Sequence, residues 1–234
     1  MSHVLDDTPA AAPSVIMVVG LLFEAHFAER PTAAVVCRGN SHRIATTILA
    51  AARSGCHRIV SFGMAGGLAP DLRPGDWIVA SRIIGDEVSY ATDPALSRLL
   101  LENAPGAEYA PIIGVDAPVA DPASKRALHA RGLAAVDMES HIVARLAVEH
   151  RLALGAIRVI IDPAHRRIPA AALVGFNSLG AIDPTAVIRA LIGRPRDLPL
   201  VAMLAFDAVA ARRALQRIHQ MLANGFGRPV DGKR

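Results

Sequence analysis

Apolar residues first cluster without interruption from Ser14 to Leu22, a β-branched run of the kind that forms a strand covered on both faces. Ala33 to Cys37 repeats the pattern. Gly39, Asn40 and Ser41 then supply turn and cap chemistry, and Ile44, Ile48, Leu49 and Ala52 recur at helical spacing until Gly55. Arg58 to Phe62 is the next predicted buried strand, running into a glycine-rich loop, Gly63 to Leu68. Beyond the Pro74-Gly75 turn the pattern predicts a strand over Asp76 to Ile84, a helix over Pro94 to Asn103, a strand over Tyr109 to Val115 and a helix over Pro122 to Ala130. Met138 to His150 has strong helical spacing, Ala156 to Ile161 reads as a buried strand, and Thr185 to Ile192 and Leu200 to Asn224 read as closing helices.

Alternating strands and helices define an α/β fold: a single domain over 14–234 with a mixed, largely parallel central sheet and helices on both faces. In such sheets ligands bind beyond the carboxyl ends of the strands. Residues 1–13 are polar and read as a disordered tail.

Composition narrows the classes. The longest apolar runs, Val15 to Phe23 and Leu198 to Phe206, fall far short of the ~20 residues of a membrane-spanning helix. Cys37 and Cys56 are the only cysteines and no signal segment precedes the domain, so both thiols are expected to be free, in the cytoplasm. The net charge of +4 hides an asymmetry. Residues 1–150 carry 12 Lys and Arg against 16 Asp and Glu, whereas 151–234 carry 13 against 5. A basic carboxyl-terminal part can mean nucleic acid, an anionic membrane surface or only a solvated helix face. Nucleic acid is not expected, because aromatics make up only 4% of the chain and no basic cluster is interleaved with stacking residues.

Three segments could carry chemistry. Small residues at Gly63 to Leu68 let backbone amides approach an anion or a sugar, or simply make a tight turn. Asp137-Met138-Glu139 opens a helix; Asp137 is explained by capping alone, Glu139 less well. Asp162 stands at the end of a buried strand, where a dry carboxylate must be solvated, hydrogen-bonded or protonated, and the protonated form suits a general acid. Glu24 follows the first strand as a base or a helix-start charge. The nine histidines show no metal-ligand spacing; His141, His150 and His165 are expected to be satisfied or exposed, and no metal is expected.

Gly20 through Glu24, Gly39 with Arg43, Ser61 to Leu68, Val136 to Glu139 and Arg158 to Asp162, taken in that order, resemble the purine nucleoside phosphorylase and nucleosidase superfamily. A closer resemblance is to the hopanoid-associated phosphorylases. It rests on Ser61-Phe62-Gly63-x-Ala65-Gly66-Gly67-Leu68, on Val136 to His141, and on a tail comprising Ile168 to Gly175 and Arg194 to Pro199. The resemblance implies cleavage of the bond between adenine and the ribose of adenosylhopane. Asp162 would protonate or hydrogen-bond purine N7, Glu139 would hold the ribose 2′ and 3′ hydroxyls, Met138 would pack under the sugar, and Val119 would meet the base through its backbone. Gly66 and Gly67 would line the sugar or anion site. Pro118 stands where a relative has an aromatic that stacks on the base, which weakens stacking.

For the nucleophile the resemblance offers water positioned by Glu24, or inorganic phosphate held by Arg43 and the glycine-rich segment. Met64 stands where relatives often have Ser or Thr, and no Arg follows Gly20; both departures favour water. No cofactor is implied beyond phosphate as the alternative co-substrate. The implied partners are a lipid-linked nucleoside, a second copy of the chain as a homodimer, and the membrane surface on which Leu198 to Phe206 and Arg212, Arg213 and Arg217 would lie. The other reading of that stretch is an amphipathic helix packed on the sheet with its arginines outward. A methylthioadenosine or adenosylhomocysteine nucleosidase or a purine nucleoside phosphorylase, and a nucleoside- or lipid-binding protein without turnover, are the competing functions.

Overall fold

The computed structural model describes residues 14–20, 25, 33–37, 41–175 and 183–225. The predicted tail, 1–13, and the end of the first predicted strand, Leu21 and Leu22, lie outside them.

Eight strands are present among these residues: β1 (Val15–Val19), β2 (Ala33–Cys37), β3 (Arg58–Gly67), β4 (Trp77–Gly85), β5 (Val88–Ala91), β6 (Glu108–Gly114), β7 (Ala135–Asp137) and β8 (Ala153–Asp162). The helices are α1 (Ser41–Arg53), α2 (Pro94–Asn103), α3 (Pro122–His129), α4 (Ser140–Glu149), α5 (Ala170–Leu173), α6 (Pro184–Gly193) and α7 (Leu198–Gly225), with a 3₁₀ turn at Pro195–Asp197.

The strands form one sheet in the order β2-β1-β3-β7-β6-β4-β5, and β8 joins β3 to β4, which closes β3, β7, β6, β4 and β8 into a ring. Pairs β1–β2, β1–β3, β3–β8, β4–β6 and β6–β7 are parallel. Pairs β3–β7, β4–β5 and β4–β8 are antiparallel.

Alternation along β1 sets the layers, because successive side chains leave a strand on opposite faces. Ile16 and Val18 pack in one apolar core with Ile48 of α1 and Val143, Ala144 and Ala147 of α4. Val15, Met17 and Val19 pack in the other with Leu96 and Leu100 of α2 and Ala211, Ala214, Leu215 and Ile218 of α7. The sheet therefore carries helices on both faces, as the sequence pattern predicts.

Three expectations change. The predicted loop Gly63 to Leu68 is, as far as Gly67, the extended end of β3. It stays in the sheet because Gly66 and Gly67 pair with Val136 and Ala135 of β7 while residues 58–66 pair with β8. A register shift between Ala65 and Gly66 bends it there. The helix expected from Met138 starts at Ser140, since Ala135–Asp137 is claimed by β6 and β3. The hairpin from β4 to β5 was not foreseen. Asp86 and Glu87 turn it with φ of 51° and 62°, a left-handed pair that costs a residue with a Cβ roughly 1–2 kcal/mol. Replacing them with Asn-Gly is expected to stabilise the protein by about 1 kcal/mol in denaturant unfolding, with activity unchanged.

Candidate active site

The carboxyl ends of β1, β3, β7 and β8 bring the candidate residues together. Gly66 of β3 pairs with Val136 of β7 on one side and with Asp162 of β8 on the other. Asp162 and the Asp137-Met138-Glu139 segment therefore emerge flanking one glycine-rich strand end.

Asp162 is buried at 3% exposure. A Cβ on Gly66 would lie 3.2 Å from its Oδ1 and 3.4 Å from its Oδ2, so the carboxyl rests in the space that a side chain on β3 would crowd. Gly67 lies under the Asp162 carbonyl, 3.2 Å from where its own Cβ would stand. Burial pushes the Asp162 carboxyl above the usual carboxylate range, opposed by the Lys125 ammonium, which donates to Oδ2, and by Arg166. A carboxyl shifted upward is shifted in the direction that a general acid requires.

Glu139 is half-buried at the start of α4 and does not cap that helix with its side chain. Its carboxylate reaches back over Gly20, where a Cβ would lie 2.8 Å from its Cδ. Met138, also half-buried, sits between Glu139 and the capping residue. The helix is capped by Asp137, whose Oδ1 accepts from Glu139 N at 3.2 Å, Ser140 N at 2.9 Å and Ser140 Oγ at 2.7 Å. Capping thus accounts for Asp137, as expected.

Asp137 has a second role. Arg158, buried in the middle of β8, donates through Nε to Asp137 Oδ2 and through Nη2 to Ser61 Oγ at 2.5 Å. This ion pair ties β7 to β8 across β3 and fixes the origin of the Met138-Glu139 turn. Arg158 stood in the sequence as a lone charge within an apolar strand, a position that demands a counter-charge. Lys125 carried no comparable signal, because a lysine on a polar helix reads as a solvated one.

Val119, half-buried, packs beside Leu68, Ile113, Leu133 and Val136 in the loop after β6. That loop is tied to the one after β8 by a hydrogen bond from Ile168 N to Ala120 O of 2.9 Å. His141 is buried rather than exposed: its ring lies against Gly85 and Gly114, and Nε2 is 3.2 Å from Asp116 Oδ1. Glu24 lies outside the described residues, as does the side chain of Arg43, whose backbone belongs to α1. Among the described residues no group of three His, Cys, Asp or Glu is placed to hold a metal ion.

Residues 5–193 match the family model of the phosphorylase superfamily, and the chain belongs to that superfamily of enzymes. No curated protein matches it in sequence. Among solved structures it is similar to the 5′-methylthioadenosine/S-adenosyl homocysteine nucleosidase of Campylobacter jejuni, at 16% identity and a TM-score of 0.58 over 90% of this chain and 99% of that one. Futalosine hydrolase of Helicobacter pylori is similar at 16% identity and a TM-score of 0.63, over 92% of this chain and 97% of that one. So is the purine nucleoside phosphorylase of Toxoplasma gondii in complex with immucillin-H, at 15% identity and a TM-score of 0.63 over 92% and 91%. These likenesses place the fold.

Proposed function

We propose that the enzyme cleaves the N-glycosidic bond of adenosylhopane, releasing adenine and leaving ribosylhopane, with water as the nucleophile. The observation that carries the cleavage is that buried Asp162 and half-buried Glu139 emerge on either side of one glycine-rich strand end, with burial raising the Asp162 carboxyl above the usual carboxylate range. Asp162 gives its proton to N7 of the base, so adenine leaves as a neutral molecule. Glu139 accepts from the ribose hydroxyls and stabilises the positive charge that grows on the sugar. Solved relatives in fold that act on methylthioadenosine, futalosine or purine nucleosides agree with this class of chemistry.

The lipid part of the reading is supported by the carboxyl-terminal helices. The two tail segments of the hopanoid-type pattern meet where Asp197 accepts from Ala171 N at 3.2 Å, and beside them Arg166, in the loop after β8, pairs with Asp207 of α7. Around them Val174, Ile188, Ile192, Leu198, Met203 and Phe206 are exposed, Ile192 at 79% and Phe206 at 77%. The second half of α7 behaves otherwise, with Ala211, Ala214, Leu215 and Ile218 buried and Arg212, Arg213 and Arg217 outward. The ordinary amphipathic reading thus holds for 211–218, while 198–209 exposes Leu198, Met203, Phe206 and Val209 and keeps Leu200, Val201 and Leu204 half-buried. We assign that apolar face, beside the loop that follows Asp162, to the hopane chain and to the inner leaflet of the membrane; a homodimer is the expected assembly. Among the described residues no helix is long and apolar enough to cross a membrane.

Adenine release from adenosylhopane in detergent, with and without phosphate and beside methylthioadenosine, tests the proposal. Phosphate-independent release from the lipid substrate is expected. Strict phosphate dependence would replace water by phosphate; turnover of methylthioadenosine alone would overturn the lipid substrate.

A Gly20→Ala substitution should displace the Glu139 carboxylate while leaving the melting temperature nearly unchanged, because only the end of a flexible side chain must move. Loss of charge-assisted contacts to the ribose is expected to lower kcat/KM by about tenfold or more.

A further inference from the structure

Lys125 is the buried residue of α3, and its side chain is 0% exposed. An ammonium has three protons to donate and no lone pair to accept with. Here all three protons find an oxygen: Asp162 Oδ2, Pro163 O at 3.1 Å and Arg166 O at 3.2 Å. Two of these acceptors are backbone carbonyls of the loop that follows β8. They hold the ammonium in place whether Asp162 is protonated or not.

Stability alone does not account for this arrangement, since a buried ion pair replaced by apolar side chains of similar volume is often no less stable. The pair is instead placed on the one carboxyl that the proposed chemistry uses.

We propose that Lys125 is a positioning residue for Asp162: its ammonium pins Oδ2 and leaves Oδ1 to meet the leaving base. The inference rests on the reading of Asp162 as the acid. As the C1′–N9 bond breaks, its electron pair passes to the base, the Asp162 proton moves to N7, and Asp162 is left as a carboxylate. The hydrogen bond from the Lys125 ammonium joins two opposite charges only on that product side, so it strengthens as the proton leaves. Without the cation, a carboxyl this dry would hold its proton too firmly to give it up.

Among the described residues, the other charged neighbour acting on Asp162 is Arg166, itself engaged by Asp207 of α7. β3 presents Gly66 there and β4 pairs with β8 through Trp77, Ile78 and Val79, none of them ionisable; Arg158 on β8 itself is committed to Asp137.

The pH profile of kcat/KM for base release tests this in the wild type, Lys125→Met, Lys125→Arg and Asp162→Asn. Wild-type activity should fall as pH rises through the titration of Asp162, because the acid must be protonated. In Lys125→Met the alkaline limb should move up by roughly one to three pH units, with a plateau about tenfold or more lower. Lys125→Arg, which keeps the cation, should hold the limb near its wild-type position, and carries the test should Lys125→Met melt below the assay temperature.

A Lys125→Met limb that coincides with the wild type, whatever its plateau, would overturn the inference and leave Lys125 a structural role. A Lys125→Arg limb displaced as far as that expected for Lys125→Met would do the same. Full activity in Asp162→Asn would remove the acid reading itself, whereas an inactive Asp162→Asn beside an unshifted Lys125→Met would remove the Lys125 role alone.

Discussion

Asp162→Asn is expected to lower the rate of base release by about 10²–10⁴-fold, the range spanned by general acid catalysis. The carboxamide keeps the size of the side chain and can still accept from Lys125, but it has no acidic proton to give. Adenine expelled without that proton leaves as an anion into a cleft whose designed proton donor is gone. The loss should fall on kcat more than on KM, because N7 takes the proton only as the bond breaks. The substitution also exchanges the carboxyl that accepts from the fully buried Lys125 ammonium for an amide that cannot ionise, so the melting temperature should be measured alongside and rates compared below it. Steady-state assays of adenine release, with binding of unreacted substrate measured separately, check the result. The pH profile adds a signature: burial raises the Asp162 carboxyl, so wild-type kcat/KM should be level on the acid side of its titration and decline on the alkaline side.

Arg158→Met is expected to cost about 3–5 kcal/mol of stability, which for a chain of this size lowers Tm by roughly 6 to 20 °C. Arg158 and Asp137 are both buried, and the guanidinium also serves Ser61. Removing it strands a carboxylate in the core between β7 and β8. Asp137→Asn combined with Arg158→Met should recover much of the loss, since no lone charge then remains and the amide oxygen can still accept from the first amides of α4. Thermal unfolding of the single and double variants decides it. A melting temperature unchanged in Arg158→Met would mean that the pair does not hold the strands.

The parts of the fold that were legible in the sequence are those whose physics is local. β1, β3 and β8 are covered on both faces, so they appear as continuous apolar runs, and α1 and α2 repeat at helical spacing. β5 has four residues, none of them buried, and β7 has three, absorbed into what looked like the start of α4. Nothing in short windows distinguishes such strands from their surroundings. Closure of the ring through β3–β7 and β4–β8 depends on antiparallel pairs between segments about 70 to 80 residues apart, and no periodicity encodes that.

The site divides in the same way. Asp162 and Glu139 stood out because each is a carboxylate beside a buried element. Asp137 was explained by its capping role, and the structure adds Arg158 as its partner. Lys125 was invisible, since its burial depends on the loop after β8 folding back over α3. The basic carboxyl-terminal part was legible as charge but not as geometry: only the structure separates the outward arginines and buried stripe of 211–218 from the exposed apolar half of α7.

The central claim is that Asp162 hands its proton to N7 of a leaving purine. Its most direct test is base release by the wild type and by Asp162→Asn from the adenine nucleoside and from the same nucleoside with N7 replaced by carbon. The account predicts that the wild type loses most of its rate on the 7-deaza compound, and that Asp162→Asn, already slow, loses little more. Equal wild-type turnover of both compounds, or two losses that simply multiply, would contradict it.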